Sequence, residues 1–176
     1  MASKGTRPGD PWGDIIWNVL HAQVMAEVES KMRGNNLTEK MELREETKWL
    51  LTGEEAELGE TDIADASFVD DVAMIFSADS PVELNDKARA ITAIVIDAWA
   101  SHGIECNLKQ GKTELLLIYN ESGSRAAHNE AYGSEKPGLP IQTRTCGEVT
   151  VPLTLRDQRA HCRRSRATRI TAQTTT

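Results

Sequence analysis

Cysteine is scarce in this chain: three residues in 176, at positions 106, 146 and 162, with no CxxC spacing. Three cysteines so placed build neither a disulfide framework nor a four-ligand zinc module, and His161-Cys162 with Cys146 lacks the spacing of a metal-binding set. Long apolar runs are missing too. None approaches the roughly 20 residues that span a bilayer, and no signal-peptide pattern occurs. The chain is therefore expected to be soluble and intracellular, in cytoplasm or nucleus, with no membrane partner. Asn36-Leu37-Thr38 and Asn120-Glu121-Ser122 match the glycosylation triplet, but without a secretory signal they carry no weight. The signatures of dinucleotide binding, zinc proteolysis and serine hydrolysis (GxGxxG, HExxH, nucleophile elbow) do not occur. Gly111-Lys112-Thr113 looks like the end of a P-loop. The full pattern needs glycine where Cys106 stands and a helix where Leu115-Leu116-Leu117-Ile118 reads as a strand, so ATP binding there is rejected.

Positive charge is lacking in most of the molecule. The net charge is −7. Residues 156–176 hold six arginines against Asp157, a net of +5, which leaves −12 on residues 1–155. So acidic a body argues against strong autonomous binding to nucleic acid, which needs a basic face. What the chain does have is enough length for one domain with a core.

Gly, Pro and Asp crowd residues 5–14 and mark a tight loop. A helix is expected over roughly 14–31, with Asp14 as N-cap and Gly34-Asn35-Asn36 as its stop. Its core face is read as Ile15, Val19, Ala22 and Ala26, flanked by Ile16 and Leu20. Residues 37–60, with eight Glu against three Lys or Arg, read as a solvated helical insert. Residues 62–76 form a candidate hairpin, whose second arm alternates Val72, Met74 and Phe76 against Ala73 and Ile75. Ser80-Pro81-Val82-Glu83 is a capping box opening a helix to about Ser101, with a stripe of Leu84, Ala88, Ile91, Val95 and Ala98. His102-Gly103 closes it, the histidine serving as a last-turn cation. Short strands follow at 104–108 and 113–119. Residues 120–155 read as a linker with a short strand near 148–151, and 156–176 as a disordered arginine-rich tail. Strands and helices segregated in this way imply an α+β fold, one antiparallel sheet backed by helices.

Asp70-Asp71 sits between two short apolar runs and has two readings. Asp tolerates the backbone of tight turns, so the pair suits an ordinary hairpin turn. Adjacent carboxylates also suit a hard cation such as Mg²⁺, held together with substrate phosphates.

Three pieces in order bear on the choice: Gly5-Thr6-Arg7-Pro8-Gly9-Asp10-Pro11, then Phe68-Val69-Asp70-Asp71, then Gly103-Ile104-Glu105-Cys106-Asn107-Leu108 with Gly111-Lys112-Thr113-Glu114. Together they resemble the reverse transcriptases of non-LTR retrotransposons: a Gly-rich motif before the long palm helix, an aromatic-x-Asp-Asp box, and a later glycine, strand and Lys-Thr segment. The resemblance covers roughly residues 5–119 and implies a polymerase palm-like sheet, incomplete here, with an acidic insert at 37–60. It implies Mg²⁺ (or Mn²⁺) held by Asp70 and Asp71 as catalytic carboxylates. Gly5 and Gly9 would lie near template and incoming nucleotide, and Lys112 near the triphosphate. RNA template, DNA primer and dNTP are the implied partners. As plain structural residues, Gly5 and Gly9 are turn formers and Lys112 a solvated turn lysine. Pro8 stands where the family has a polar Gln. The family's third metal-binding carboxylate lies on a strand before the Gly-rich motif, so this chain alone is expected to be a fragment that does not extend a primer. The change to an arginine-rich tail after Leu155 suggests truncation or a shifted frame. The competing reading is a non-catalytic α+β interaction module in which Asp70-Asp71 is only a turn.

Overall fold

A computed structural model of the chain describes residues 11–43, 59–68, 71–119, 124–154 and 170–174. The first helix, α1, runs Pro11–Gly34. Proline at its first position suits a helix start, since the missing N–H is one that a helix leaves unbonded there. It ends with Asn36 in the left-handed region (φ 54°) and with Leu37 N donating to Met32 O at 2.9 Å.

The buried face of α1 is not the one read from the sequence. Val24, Met25, Val28 and Met32 face the core with His21, and Trp17 and Leu20 pack beside them. Ile15, Ile16 and Val19 stay between 53 and 58% exposed, and Ala22 and Ala26 are exposed as well. The first half of the helix is apolar nearly all round, so its periodicity does not choose a side. The second half chooses it. There one face offers Val24, Val28 and Met32, the other only alanines, and the larger side chains bury more apolar surface.

Strands β1 (Glu39–Leu43) and β2 (Gly59–Ile63) pair antiparallel, with Glu39 opposite Ile63 and Leu43 opposite Gly59. The stretch 37–60, expected to be a helical insert, therefore contributes one arm of a ribbon and the start of the other, and residues 44–58 lie outside the described residues. Strand alternation puts Glu39 on the same face as Met41, while Lys40 and Glu42 occupy the other. Strands β3 (Asp65–Phe68) and β4 (Asp71–Phe76) form the expected hairpin, and Val72, Met74 and Phe76 are its buried positions as the alternation requires. The far edge of β4 pairs antiparallel with β7 (Ile170–Thr174). Part of the segment read as a disordered tail is thus a strand, and residues 155–169 and 175–176 lie outside the described residues.

Helix α2 (Pro81–Ser101) begins as its sequence indicates, Ser80 Oγ accepting from Glu83 N at 3.2 Å. Leu84, Ala88, Ile91, Val95, Ala98 and Trp99 are buried along one face. Gly103, at φ 76°, lets the chain turn back so that Ile104 N donates to Trp99 O. His102 does more than complement a helix end: its Nε2 lies 3.0 Å from Glu27 Oε2 and ties α2 to α1.

Neither 104–108 nor 113–119 forms a strand ladder. Thr113, Leu115 and Leu117 are buried in alternation, yet Leu115 joins Leu153 through an isolated parallel bridge and not a ladder. The segment read as a linker holds helix α3 (Ser124–Tyr132) and a hairpin of β5 (Gly138–Thr143) and β6 (Gly147–Pro152). Leu139, Ile141 and Val151 from that hairpin join the core. The sequence of 120–140 hides α3 because only Ala127 and Ala131 of that helix are buried, too little apolar surface for a visible stripe. The class is α+β, with pairing divided among a β1–β2 ribbon, a β3–β4–β7 sheet and a β5–β6 hairpin.

Candidate functional site

The β3–β4 hairpin carries the acidic pair. Its register closes at Phe68 opposite Asp71. Asp71 is the first residue of β4. Asp70, Gly5 and Gly9 lie outside the described residues. Lys112 belongs to a turn in which its N–H donates to Lys109 O at 3.0 Å and Gly111 takes a positive φ of 80°. Glu114 stiffens that turn from below, one carboxylate oxygen accepting from Gly111 N and the other from Thr154 Oγ1, both at 2.5 Å. Of the five residues expected at the site, the described structure thus holds Asp71 and Lys112, on separate elements. Among the described residues no group of three or more His, Cys, Asp or Glu side chains gathers as a metal site.

Four polar arrangements escaped the sequence reading. The first joins β1 to α2. Glu39 accepts from Ser77 N at 2.6 Å, from Ser77 Oγ at 2.7 Å and from Lys87 Nζ at 2.9 Å, while Lys87 also donates to Ser77 O at 2.8 Å. Burial pushes the Glu39 carboxyl upward, but the Ser77 and Lys87 bonds outweigh it and hold the group below its ordinary value. Beside it opens a surface pocket of about 530 Å³ lined by Arg33, Asn36, Thr38, Glu39, Lys40, Asp62 and Lys87. Its cations are already engaged: Lys87 with Glu39, Lys40 with Glu60 and Arg33 with Glu29 and Asp62. The pocket is therefore a seam of ion pairs and offers no unneutralised charge to a ligand.

The second arrangement holds α3. Asn85, buried on α2, accepts from Tyr119 OH at 2.6 Å and donates to Glu130 at 3.2 Å, and Arg89 pairs with Glu130. Burial drives the Tyr119 hydroxyl well above its ordinary range. The third clamps the β5–β6 turn, where Asp97 accepts from Arg144 N, Thr145 N and Thr145 Oγ1 at 2.7–3.1 Å. Burial opposes ionisation of Asp97, and the three donors overcome it, leaving the carboxyl below its ordinary value. The fourth is a ring cluster between α1 and α2, in which Trp17, His21 and Trp99 lie with mutual centroid distances of 5.8 Å. None of the described residues offers a hydrogen bond to Trp17 Nε1, His21 Nε2 or Trp99 Nε1. The elements each arrangement joins stand tens of residues apart, as Glu39 does from Lys87, so no short motif announces them.

Among the described residues no helix is long and apolar enough to cross a membrane. Comparison with protein-family models, with curated proteins and with solved structures finds no match.

Proposed function

We propose that this chain is a palm segment of an RNA-directed DNA polymerase of the non-LTR retrotransposon kind, with Asp70 and Asp71 as its metal-binding carboxylates. The observation that carries the reading is the β3–β4 hairpin. It falls between two long helices, and its register closes at Phe68 opposite Asp71, the aromatic and the second acidic residue of the aromatic-x-Asp-Asp box. The order of the Gly-rich, Asp-Asp and Gly-Lys-Thr segments supports it further. Two adjacent carboxylates are hard oxygen donors, the set that suits Mg²⁺ or Mn²⁺. Such ions, when bound, lower the barrier to nucleotidyl transfer by stabilising charge on the attacking and leaving oxygens. On this reading Asp70 and Asp71 hold metal. Gly5 and Gly9 let the backbone approach template and dNTP closely, and Lys112 offers a point charge to phosphate oxygens. RNA template and DNA primer complete the set of partners.

The test is binding of Mn²⁺ followed by electron paramagnetic resonance, on the native chain and on Asp70→Asn and Asp71→Asn. Bound Mn²⁺ weakened at least tenfold by either substitution is the expected outcome. Equal binding by all three chains, with helix content unchanged, sinks the polymerase reading and leaves the hairpin as an ordinary turn.

A further inference from the structure

Helix α1 shows solvent a face that a second apolar surface would cover. Trp12 is 70% exposed, Ile15 53%, Ile16 58% and Val19 58%, and Ala22 and Ala26 are exposed along the same side. Trp12, Val19 and Ala26 recur every seven residues and so fall in line along the helix, with Ile15, Ile16 and Ala22 flanking them. The polar side chains exposed among them, Asn18 and Gln23, are uncharged. In a chain of net charge −7, an uncharged face is where two copies meet with least repulsion.

The face is also graded. Its N-terminal half is bulky and its C-terminal half is small. Two copies laid antiparallel about a two-fold axis at Val19 put Trp12 of each over Ala26 of the other, Ile16 over Ala22, and Val19 against Val19. A parallel pairing would stack Trp12 on Trp12 at one end and leave a gap between alanines at the other. Antiparallel packing also sets each helix dipole against its opposite. From Trp12 to Ala26 the contact runs about 21 Å at 1.5 Å per residue. A strip of that length, one helix wide, buries roughly 900 Å² over the two copies, which belongs with weak and reversible interfaces.

We propose that a second copy of this chain docks on this face, α1 against α1, as an antiparallel two-fold dimer centred on Val19. Such an interface is isologous, each contact occurring twice, and it stands whether or not Asp70 and Asp71 hold metal.

Sedimentation velocity on the full chain across a hundredfold range of concentration reads the association. The native chain should move from monomer to dimer. Val19→Glu, which sets two carboxylates face to face on the axis, should weaken dimerisation at least tenfold. Val19 is solvent-facing in the monomer, and circular dichroism will check that the variant keeps its helix content. Register is read separately by oxidative crosslinking mapped by mass spectrometry. Val19→Cys should yield a 19–19 disulfide, while Ala26→Cys should not link to itself, the two sites lying about 21 Å apart in the antiparallel pair. A native chain that stays monomeric throughout overturns the proposal. So does a Val19→Glu variant that associates like the native chain, and so does a 26–26 crosslink as efficient as 19–19.

Discussion

The two long helices invite comparison. Helix α2 has a single apolar stripe and an N-cap that its sequence announces, and it buries the stripe it shows. Helix α1 is apolar on two sides over its first half and buries one of them, leaving Ile15, Ile16 and Val19 in water. The difference lies in amphipathic contrast. Where polar residues border the apolar stripe on both sides, as in α2, the sequence leaves one choice of face. Where Ile15, Ile16, Trp17, Val19 and Leu20 wrap the helix, the choice passes to its second half, with Val24, Val28 and Met32, and to distant residues such as Trp99, which packs on Trp17 and His21.

Substitution separates the two cases most sharply. Ile91→Ala, at a position only 1% exposed, should destabilise the fold by about 2–5 kcal/mol, the cost of a core cavity. Ile16→Ala should change stability by no more than about 0.5 kcal/mol in dilute solution. Urea unfolding measures both, and equal effects would mean that α1 buries the opposite face. A smaller effect belongs to the cap: Ser80→Ala removes the acceptor for Glu83 N and should cost about 1 kcal/mol.

The smallest effect is a matter of pH. Asp97 on α2 and Glu27 on α1 both have carboxyls held below their ordinary values, Glu27 by Lys31 first and His102 second, Asp97 by the donors that overcome its burial. A depressed carboxyl favours the folded state above its unfolded value and loses that contribution as pH falls through the folded one. Unfolding midpoints should therefore hold steady from pH 7 down to the ordinary values of 4.5 and 3.8, then decline. Asp97→Asn should flatten the decline more than Glu27→Gln, because Asp97 anchors backbone and Glu27 only side chains. Equal flattening would remove that distinction.

The same contrast governs how much could be read before the structure. The β4 alternation and the α2 stripe were legible, since burial on one side leaves a period in the sequence. Strand β1 was not. Glu39 and Glu42 look solvated, and the Lys87 and Ser77 groups that bond Glu39 lie far along the chain. Helix α3 was hidden for the opposite reason, because polar bonds through Asn85 and Glu130 hold it with little apolar burial. Of the acidic site, the sequence supplied the pair and the structure supplies the hairpin register that brackets it. The motif order behind the polymerase proposal belongs to the sequence alone.

The ring cluster has an optical consequence. Trp17 and Trp99 sit against His21 in the seam between α1 and α2, while Trp12 stands at the solvent. Indole emission shifts to shorter wavelength in apolar surroundings. Among the described residues the chain thus carries its own gauge of helix separation: parting α1 from α2 exposes Trp17 and Trp99 together, while events on the outer face register through Trp12.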